Sequence, residues 1–251
     1  PEEDDRTRDW SAQRLYQEAQ DAMSVADYEL AADYYSKLEA RYPFGEYAMQ
    51  AQINIAYAYY RDGNAEAALA AADRFIRLYP NHSATAYAYY LKGLVNFNRD
   101  LGFLVRYAPI DSSQRDAGAA LESFADFAEL VRKFPDTEYA QDAVERMLFL
   151  RNNLARYELH VADYYMDRGA YVSAVNRAQY IIDNYPRTPT VKPALELMAG
   201  AYDQLGMPEL AADARRVLAL NEERGTFAPE PRDDDQTWGE VLWDYLQLDD
   251  N

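Results

Sequence analysis

Four places in the sequence end a run of helix-forming residues with an aromatic residue followed by proline: Tyr42-Pro43, Tyr79-Pro80, Phe134-Pro135 and Tyr185-Pro186. Proline lacks a backbone N–H and disfavours helix in the residue before it, so each pair predicts the end of a helix. Successive prolines are 37, 55 and 51 residues apart, and the last two spacings equal 37 with insertions of 18 and 14 residues. The chain is therefore predicted to repeat one unit.

In this register each unit has one small residue in the middle of its first helix and another in its second helix. The first set is Ala19, Ala56, Gly93, Ala162 and Ala199, and the second is Ala31, Ala68, Ser123, Ala174 and Ala211. Small side chains let neighbouring helices approach closely. The pattern resembles the tetratricopeptide repeat, a helix-turn-helix unit of about 34 residues. We predict an all-α fold, a right-handed α-α superhelix (solenoid) of five tetratricopeptide-like helix pairs.

The same register sets the helices and domains. Helices are expected over residues 11–25, 27–42, 46–61, 64–79, 83–99, 114–134, 138–168, 171–185, 190–205 and 208–221. Residues 1–10 are predicted to form an acidic linker. Repeats 1 to 3 are predicted over residues 11–135, with a loop insertion at 99–116, and repeats 4 and 5 over 136–221. Residues 222–251 are predicted to form an acidic linker with a short amphipathic helical tail. Asp27 is predicted to cap a helix start, and Gly63, Gly169 and Gly206 are predicted to end helices in a left-handed conformation.

Charge and residue usage narrow the function classes. The net charge is −18, which repels nucleic-acid phosphates and disfavours a nucleic-acid partner. The chain has no cysteine and two histidines, His82 and His160, that are far apart in the sequence. Neither a metal site nor a cofactor is expected. The sequence contains no phosphate-binding loop and no nucleophile elbow, so we predict that the chain is not an enzyme. No apolar run reaches membrane-spanning length.

Aromatic side chains concentrate on the first helices of repeats 1 to 3. Repeat arrays of this kind bind peptides on the concave face that the first helices build. The residues predicted to line it are Tyr16, Gln20, Met23, Ile53, Tyr57, Tyr60, Arg61, Tyr87, Tyr90, Leu94 and Phe97. Tyrosine gives contact area with a polar tip, so this face favours a peptide with an aromatic end, whose carboxylate Arg61 would pair with. The alternative is that the rings only pack one repeat on the next.

Several longer strings are more specific than the repeat itself: RYPFGEY, AYAYYRDGN, RFIRLYPNH, SFADFAELVRKFPDTEYA, RYELHVADYYMDRGAYVSAVNR and NYPRT. They resemble the BamD (ComL) family, lipoproteins of the machinery that assembles outer-membrane β-barrels. The resemblance runs from about Tyr16 to Leu220.

This resemblance implies a location and partners. The family lies at the periplasmic face of the cell outer membrane, anchored by a lipid on an N-terminal cysteine that this chain lacks. Its C-terminal repeats bind the barrel subunit BamA, within a complex that holds other lipoproteins. Its N-terminal repeats take part in recognising the C-terminal signal peptides of unfolded outer-membrane proteins. Carried over to the matched strings, Tyr42 is a contact candidate for the signal and Arg177 for BamA.

Two alternatives and one question about the tail stay open. The chain is alternatively another envelope tetratricopeptide scaffold, serving Tol-Pal or cell-wall coordination, or, from a different class, an α-helical hydrolase that uses surface carboxylates. In the tail, helical spacing puts Trp238, Leu242 and Tyr245 on one face. We expect the tail to occupy or partly shield the concave groove, the alternative being that it caps the last repeat.

Overall fold

The structure is a computed structural model that describes residues 5–101 and 117–229. Within these two ranges the chain forms ten helices and no strand. The helices are α1 (Ala12–Ser24), α2 (Tyr28–Arg41), α3 (Glu46–Arg61), α4 (Ala65–Leu78), α5 (Thr85–Leu101), α6 (Ala117–Lys133), α7 (Glu138–Asp167), α8 (Tyr171–Asn184), α9 (Val191–Gln204) and α10 (Pro208–Arg224). The helix expected over residues 138–168 is α7, at 30 residues the longest of the ten.

The helix ends follow from the predicted signals. Tyr42, Tyr79 and Tyr185 are the C-terminal caps of α2, α4 and α8. Asp27 caps α2 because its carboxylate accepts from the backbone N–H of Leu30 at 3.2 Å.

The predicted glycines also take their expected conformation. Gly63, Gly169 and Gly206 have φ angles of 80°, 72° and 68°, a region in which a side chain is strained. Each therefore marks the turn between the two helices of a pair, as the sequence predicted.

A threonine hydroxyl closes several of the turns that follow the prolines. Thr188 Oγ1 donates to the carbonyl of Tyr185 at 2.9 Å, and Thr137 Oγ1 donates to the carbonyl of Phe134 at 2.8 Å. These bonds satisfy carbonyls that have lost their helical partner at the C-terminus of the preceding helix.

The ten small residues are all buried, which confirms the predicted register. Consecutive helices pack on each other from α1 to α4 and again from α8 to α10, and α1 also contacts α3. Packing of each first helix on its own partner and on the next first helix is the arrangement of an α-α solenoid. The fold class is the predicted one.

The chain divides into two compact units. Unit 1 comprises Pro1–Arg99 and Ala125–Ala143, and unit 2 comprises Asp100–Phe124 and Val144–Asn251. In unit 1 one apolar core lies between α1, α2 and α3, with Leu15 and Leu38 fully buried. In unit 2 a core around Ile181 and Met198 joins α8, α9 and α10.

Residues 5–10 of the predicted acidic linker are docked on α2. The Arg41 guanidinium donates to the Asp5 carboxylate and to the Thr7 carbonyl, and the Tyr42 hydroxyl donates to the carbonyl of Trp10 at 2.8 Å. The docked segment ends directly before the N-cap Ser11 of α1, so it extends the first helix pair.

Candidate functional site

The residues predicted to line a groove differ in accessibility. Seven are half-buried: Tyr16, Met23, Tyr57, Tyr60, Tyr87, Tyr90 and Leu94. Gln20, Arg61 and Tyr42 are exposed. Ile53 and Phe97 are different, since only 3% and 8% of their surfaces are accessible. Their side chains belong to the core of unit 1, and a ligand has no access to them in this structure.

Five half-buried tyrosines of unit 1 form one cluster, which we call the aromatic surface: Tyr57, Tyr60, Tyr87, Tyr90 and Tyr139. They come from α3, α5 and the first turn of α7. The rings of Tyr57 and Tyr60 have centroids 6.3 Å apart, and the Tyr139 ring lies 5.5 Å from Tyr87 and 5.3 Å from Tyr90. The spacings are those of favourable aromatic pairs.

Burial and neighbouring phenols keep the Tyr87 hydroxyl protonated. Burial is the main reason that the pKa of Tyr87 lies well above its ordinary value, and Tyr57, Tyr139, Tyr60 and Tyr90 raise it further. Tyr57, Tyr60 and Tyr87 pack on the same buried core, and the Tyr87 ring also contacts Tyr139. Tyr87 therefore carries no charge at physiological pH, and its phenol group is its polar atom.

Arg61 provides a positive charge beside the aromatic surface. Its Nη1 donates to the Tyr57 hydroxyl at 2.7 Å, and its guanidinium lies 4.8 Å from the centroid of the Tyr28 ring. The hydrogen bond to Tyr57 raises the pKa of Arg61 above its ordinary value, so the group stays charged. An exposed guanidinium fixed against two rings is suited to a carboxylate partner.

The polar tips of the remaining rings are partly engaged. The Tyr90 hydroxyl donates to Asp142 Oδ2 at 2.5 Å, and Asn98 Nδ2 donates to the Tyr60 hydroxyl at 2.5 Å. These bonds fix the orientation of the rings, so the surface is preorganised, which lowers the entropic cost of binding.

The remaining predicted residues of repeat 1 lie outside the aromatic surface. Tyr16 packs on Tyr35 and Tyr47, with centroids 5.7 and 5.3 Å away. Tyr42 has 38% of its surface exposed although its hydroxyl is bonded to Trp10. Met23 packs on the core between α1 and α3.

Arg177 lies on α8 in unit 2. Its Nη1 donates to Glu158 Oε2 at 2.9 Å, and the Glu158 side chain is only 13% exposed. Arg177 also lines a depression of about 310 Å³ together with Tyr165, Ser173, Asn176 and Tyr180. The basic side chain is thus held in place by an acidic neighbour at the edge of an open cavity.

Sequence reasoning missed Tyr139 and Tyr28 as members of the site. Tyr139 is the second residue of α7, and Tyr47 is the second residue of α3; each follows its repeat-ending proline by four residues. This shared position is the signal that places an aromatic ring at the start of a first helix.

The described residues show neither a metal-binding cluster nor a membrane-spanning helix. Residues 5–101 and 117–229 contain no cluster of three or more His, Cys, Asp or Glu side chains able to hold a metal ion. No helix in that part of the chain is both long and apolar enough to cross a membrane.

Comparison with known proteins gives the family. The family model YfiO, described as an outer membrane lipoprotein, matches residues 8–218. The chain belongs to this family.

Proteins called outer membrane protein assembly factor BamD are similar over most of the chain. The one from Neisseria meningitidis serogroup B is 48% identical over 92% of this chain and 87% of its own length. The one from Vibrio cholerae is 36% identical over 83% and 86%. Among solved structures, the tetratricopeptide repeat domain of P58(IPK) matches 96% of this chain and 56% of its own, with 17% identity and a TM-score of 0.32.

This YfiO-family membership agrees with the strings that carried the resemblance to BamD. The matched range includes α1 to α9 and most of α10, so it contains the aromatic surface and Arg177. It ends before the predicted amphipathic tail, whose residues Trp238, Leu242 and Tyr245 lie outside the described part of the chain.

Proposed function

We propose that this chain is a non-enzymatic assembly factor for outer-membrane proteins at the periplasmic face of the outer membrane. Its N-terminal repeats hold the C-terminal signal peptides of unfolded barrel proteins, and its C-terminal repeats bind the barrel subunit BamA alongside other assembly lipoproteins. The names of its relatives support the general role. The observation that carries the peptide role is the aromatic surface with Arg61 beside it.

The aromatic surface suits a peptide that ends in an aromatic residue. Its rings are half-buried, so each has an edge or face that a ligand can cover. Contacts between aromatic rings stabilise the complex with an aromatic ligand by more than the burial of apolar area alone. The guanidinium of Arg61 supplies the countercharge for a terminal carboxylate, and its contacts with Tyr57 and Tyr28 place that charge beside the rings.

The expected affinity for an isolated peptide is low. Burying one terminal ring of about 150 Å² contributes up to roughly 4 kcal/mol before the costs of ordering the peptide. A dissociation constant in the micromolar range or weaker follows. Weak binding suits an assembly factor that has to release its client.

Fluorescence anisotropy with labelled peptides tests this assignment. A peptide ending in Phe with a free carboxylate should bind at least ten-fold more tightly than the same peptide ending in Ala. Amidation of the carboxylate should weaken binding to the unaltered chain and have little effect on Arg61→Gln. Arg77→Gln, which removes an exposed arginine of α4 instead, is the matched control and should keep the preference for the free carboxylate. Equal affinity for the Phe and Ala peptides would remove the basis of the proposal.

For the BamA contact, the supporting feature is Arg177 beside the depression of unit 2. A charged side chain fixed by Glu158 next to a cavity of about 310 Å³ is suited to an acidic side chain of a partner that also inserts an apolar group. The family resemblance is the second support for this part of the proposal.

A further inference from the structure

The last helix of the described chain exposes an apolar stripe. Leu210, Val217 and Leu220 of α10 are 44%, 43% and 41% exposed. Spacings of seven and three residues put them on one side of the helix, along about 15 Å. Asp213, which pairs with Arg216, lies between Leu210 and Val217 on the same side. Their neighbours Ala211 and Ala214 are buried, and Ala214 belongs to the core that includes α9, so the stripe borders the core of unit 2. Apolar side chains at the end of a repeat array are normally covered by a capping element with a polar outer face.

The chain turns back toward this stripe after α10. Gly225 ends the helix in a left-handed conformation with φ 62°. The backbone N–H of Thr226 then donates to the carbonyl of Asn221 at 3.1 Å, and its hydroxyl donates to Asn221 Oδ1 at 2.5 Å. Asn221 lies one turn beyond Val217 on the same side of α10. The residues that follow, Phe227 and Ala228, are half-buried.

The sequence beyond Pro229 holds a segment of matching size and pattern. Residues 238–248 place Trp238, Leu242 and Tyr245 on one side of a helix and Glu240 and Asp244 on the other. Eleven helical residues extend about 16 Å, close to the length of the stripe. Residues 230–237 span up to about 28 Å when extended, more than enough for the segment to return along α10.

We propose that residues 238–248 dock as an amphipathic helix, antiparallel to α10, on the stripe of Leu210, Val217 and Leu220. A helix of this length is not stable alone in water, so it needs an apolar surface. The stripe is the nearest one along the chain, and a linker of eight residues gives the segment a high effective concentration there. Glu240 and Asp244 then face solvent and give the end of the array its polar surface. The concave groove stays open to peptides.

Engineered cysteine pairs in the full chain test this docking, because the chain has no cysteine of its own. Val217→Cys with Leu242→Cys should form an intramolecular disulfide under mild oxidation, since a disulfide needs Cα atoms within about 7 Å. Val172→Cys with Leu242→Cys is the control, because Val172 is a 59%-exposed apolar residue on α8. Tyr57→Cys with Leu242→Cys reports docking in the groove instead.

The stripe pair should oxidise at least ten-fold faster than either other pair. Equal rates for the stripe and Val172 pairs, or a faster Tyr57 pair, would overturn the proposal. A mainly intermolecular disulfide would assign the stripe to a second copy of the chain and would overturn it too. Hydrogen exchange of the unaltered chain is independent of any variant: amides of residues 241–248 should exchange at least ten-fold slower than in an unstructured peptide. Exchange at the unstructured rate would contradict docking.

Discussion

Gly93 offers a sharp test of how the repeats pack. It is the small residue of α5, and a Cβ atom built there would lie 2.3 Å from Cε1 and 2.4 Å from Cδ1 of Phe127. Phe127 is fully buried, and its ring also contacts Tyr90 and Phe97. Gly93→Ala therefore forces the Phe127 ring, or the α5 backbone, to move by more than 1 Å to restore ordinary carbon contacts of about 3.5 Å.

The direction of the change in stability of Gly93→Ala follows from two opposed effects. Overpacking a core costs roughly 1–3 kcal/mol, whereas replacing a helical glycine by alanine gains up to about 1 kcal/mol. We expect a net loss of about 1–2 kcal/mol in the free energy of unfolding, and a melting temperature lower by roughly 2–8 °C for a chain of this size.

Gly200→Ala is the matched control. Gly200 also lies inside a helix, α9, but a Cβ atom there would meet only Met166 Cε, at 3.9 Å. The same substitution should therefore raise stability, by up to about 1 kcal/mol. Chemical denaturation monitored by circular dichroism measures both changes. If Gly93→Ala were neutral or stabilising, or if Phe127→Leu failed to relieve its cost in the double variant, close packing of α5 on Phe127 would be refuted.

Two further predictions concern charged groups. Burial raises the pKa of the Asp126 carboxyl, because Lys92 is shared with Asp73 and compensates it only in part. The folded chain then binds this proton more tightly than the unfolded chain, so the stability of the wild type relative to Asp126→Asn should rise as pH falls from the raised pKa toward the ordinary 3.8, by up to about 1.4 kcal/mol per pH unit. A pH-independent difference in denaturation free energy would contradict this. Arg177→Leu should weaken BamA binding and also cost about 1–3 kcal/mol of stability, because it leaves the poorly exposed Glu158 without its partner. Adding Glu158→Gln should restore stability and leave binding weak; recovery of both would make Arg177 a structural residue.

Local signals made most of the helices predictable. Tyr42, Tyr79 and Tyr185 end helices because the proline after each acts on its immediate neighbour, and Gly63 turns the chain because it has no Cβ atom. Such effects need no knowledge of the rest of the fold.

Membership of the aromatic surface was less predictable, because it depends on contacts between distant residues. Tyr139 meets Tyr87 across more than fifty residues of sequence, and only the packing of α7 beside α5 brings them together. Ile53 was expected to line the groove with Tyr57, four residues away on the same side of α3. It is buried instead, because Phe75 and Ala88 pack against it. Adjacent turns of one helix face can therefore lie on opposite sides of the boundary between core and surface.

Burial of Ile53 and Phe97 changes what the surface can select. With these aliphatic and phenyl side chains in the core, its accessible rings belong to tyrosines, whose hydroxyls accept from Arg61 and Asn98 or donate to Asp142. A purely apolar surface would accept any apolar peptide. The aromatic surface instead surrounds apolar ring faces with hydroxyl groups held in fixed positions. An aliphatic ligand without a charged terminus would cover the Arg61 guanidinium without supplying a countercharge, whereas a terminal carboxylate supplies one. Under the proposed function, we therefore expect the hydrogen bonds that hold the rings in place also to disfavour ordinary apolar segments of an unfolded chain.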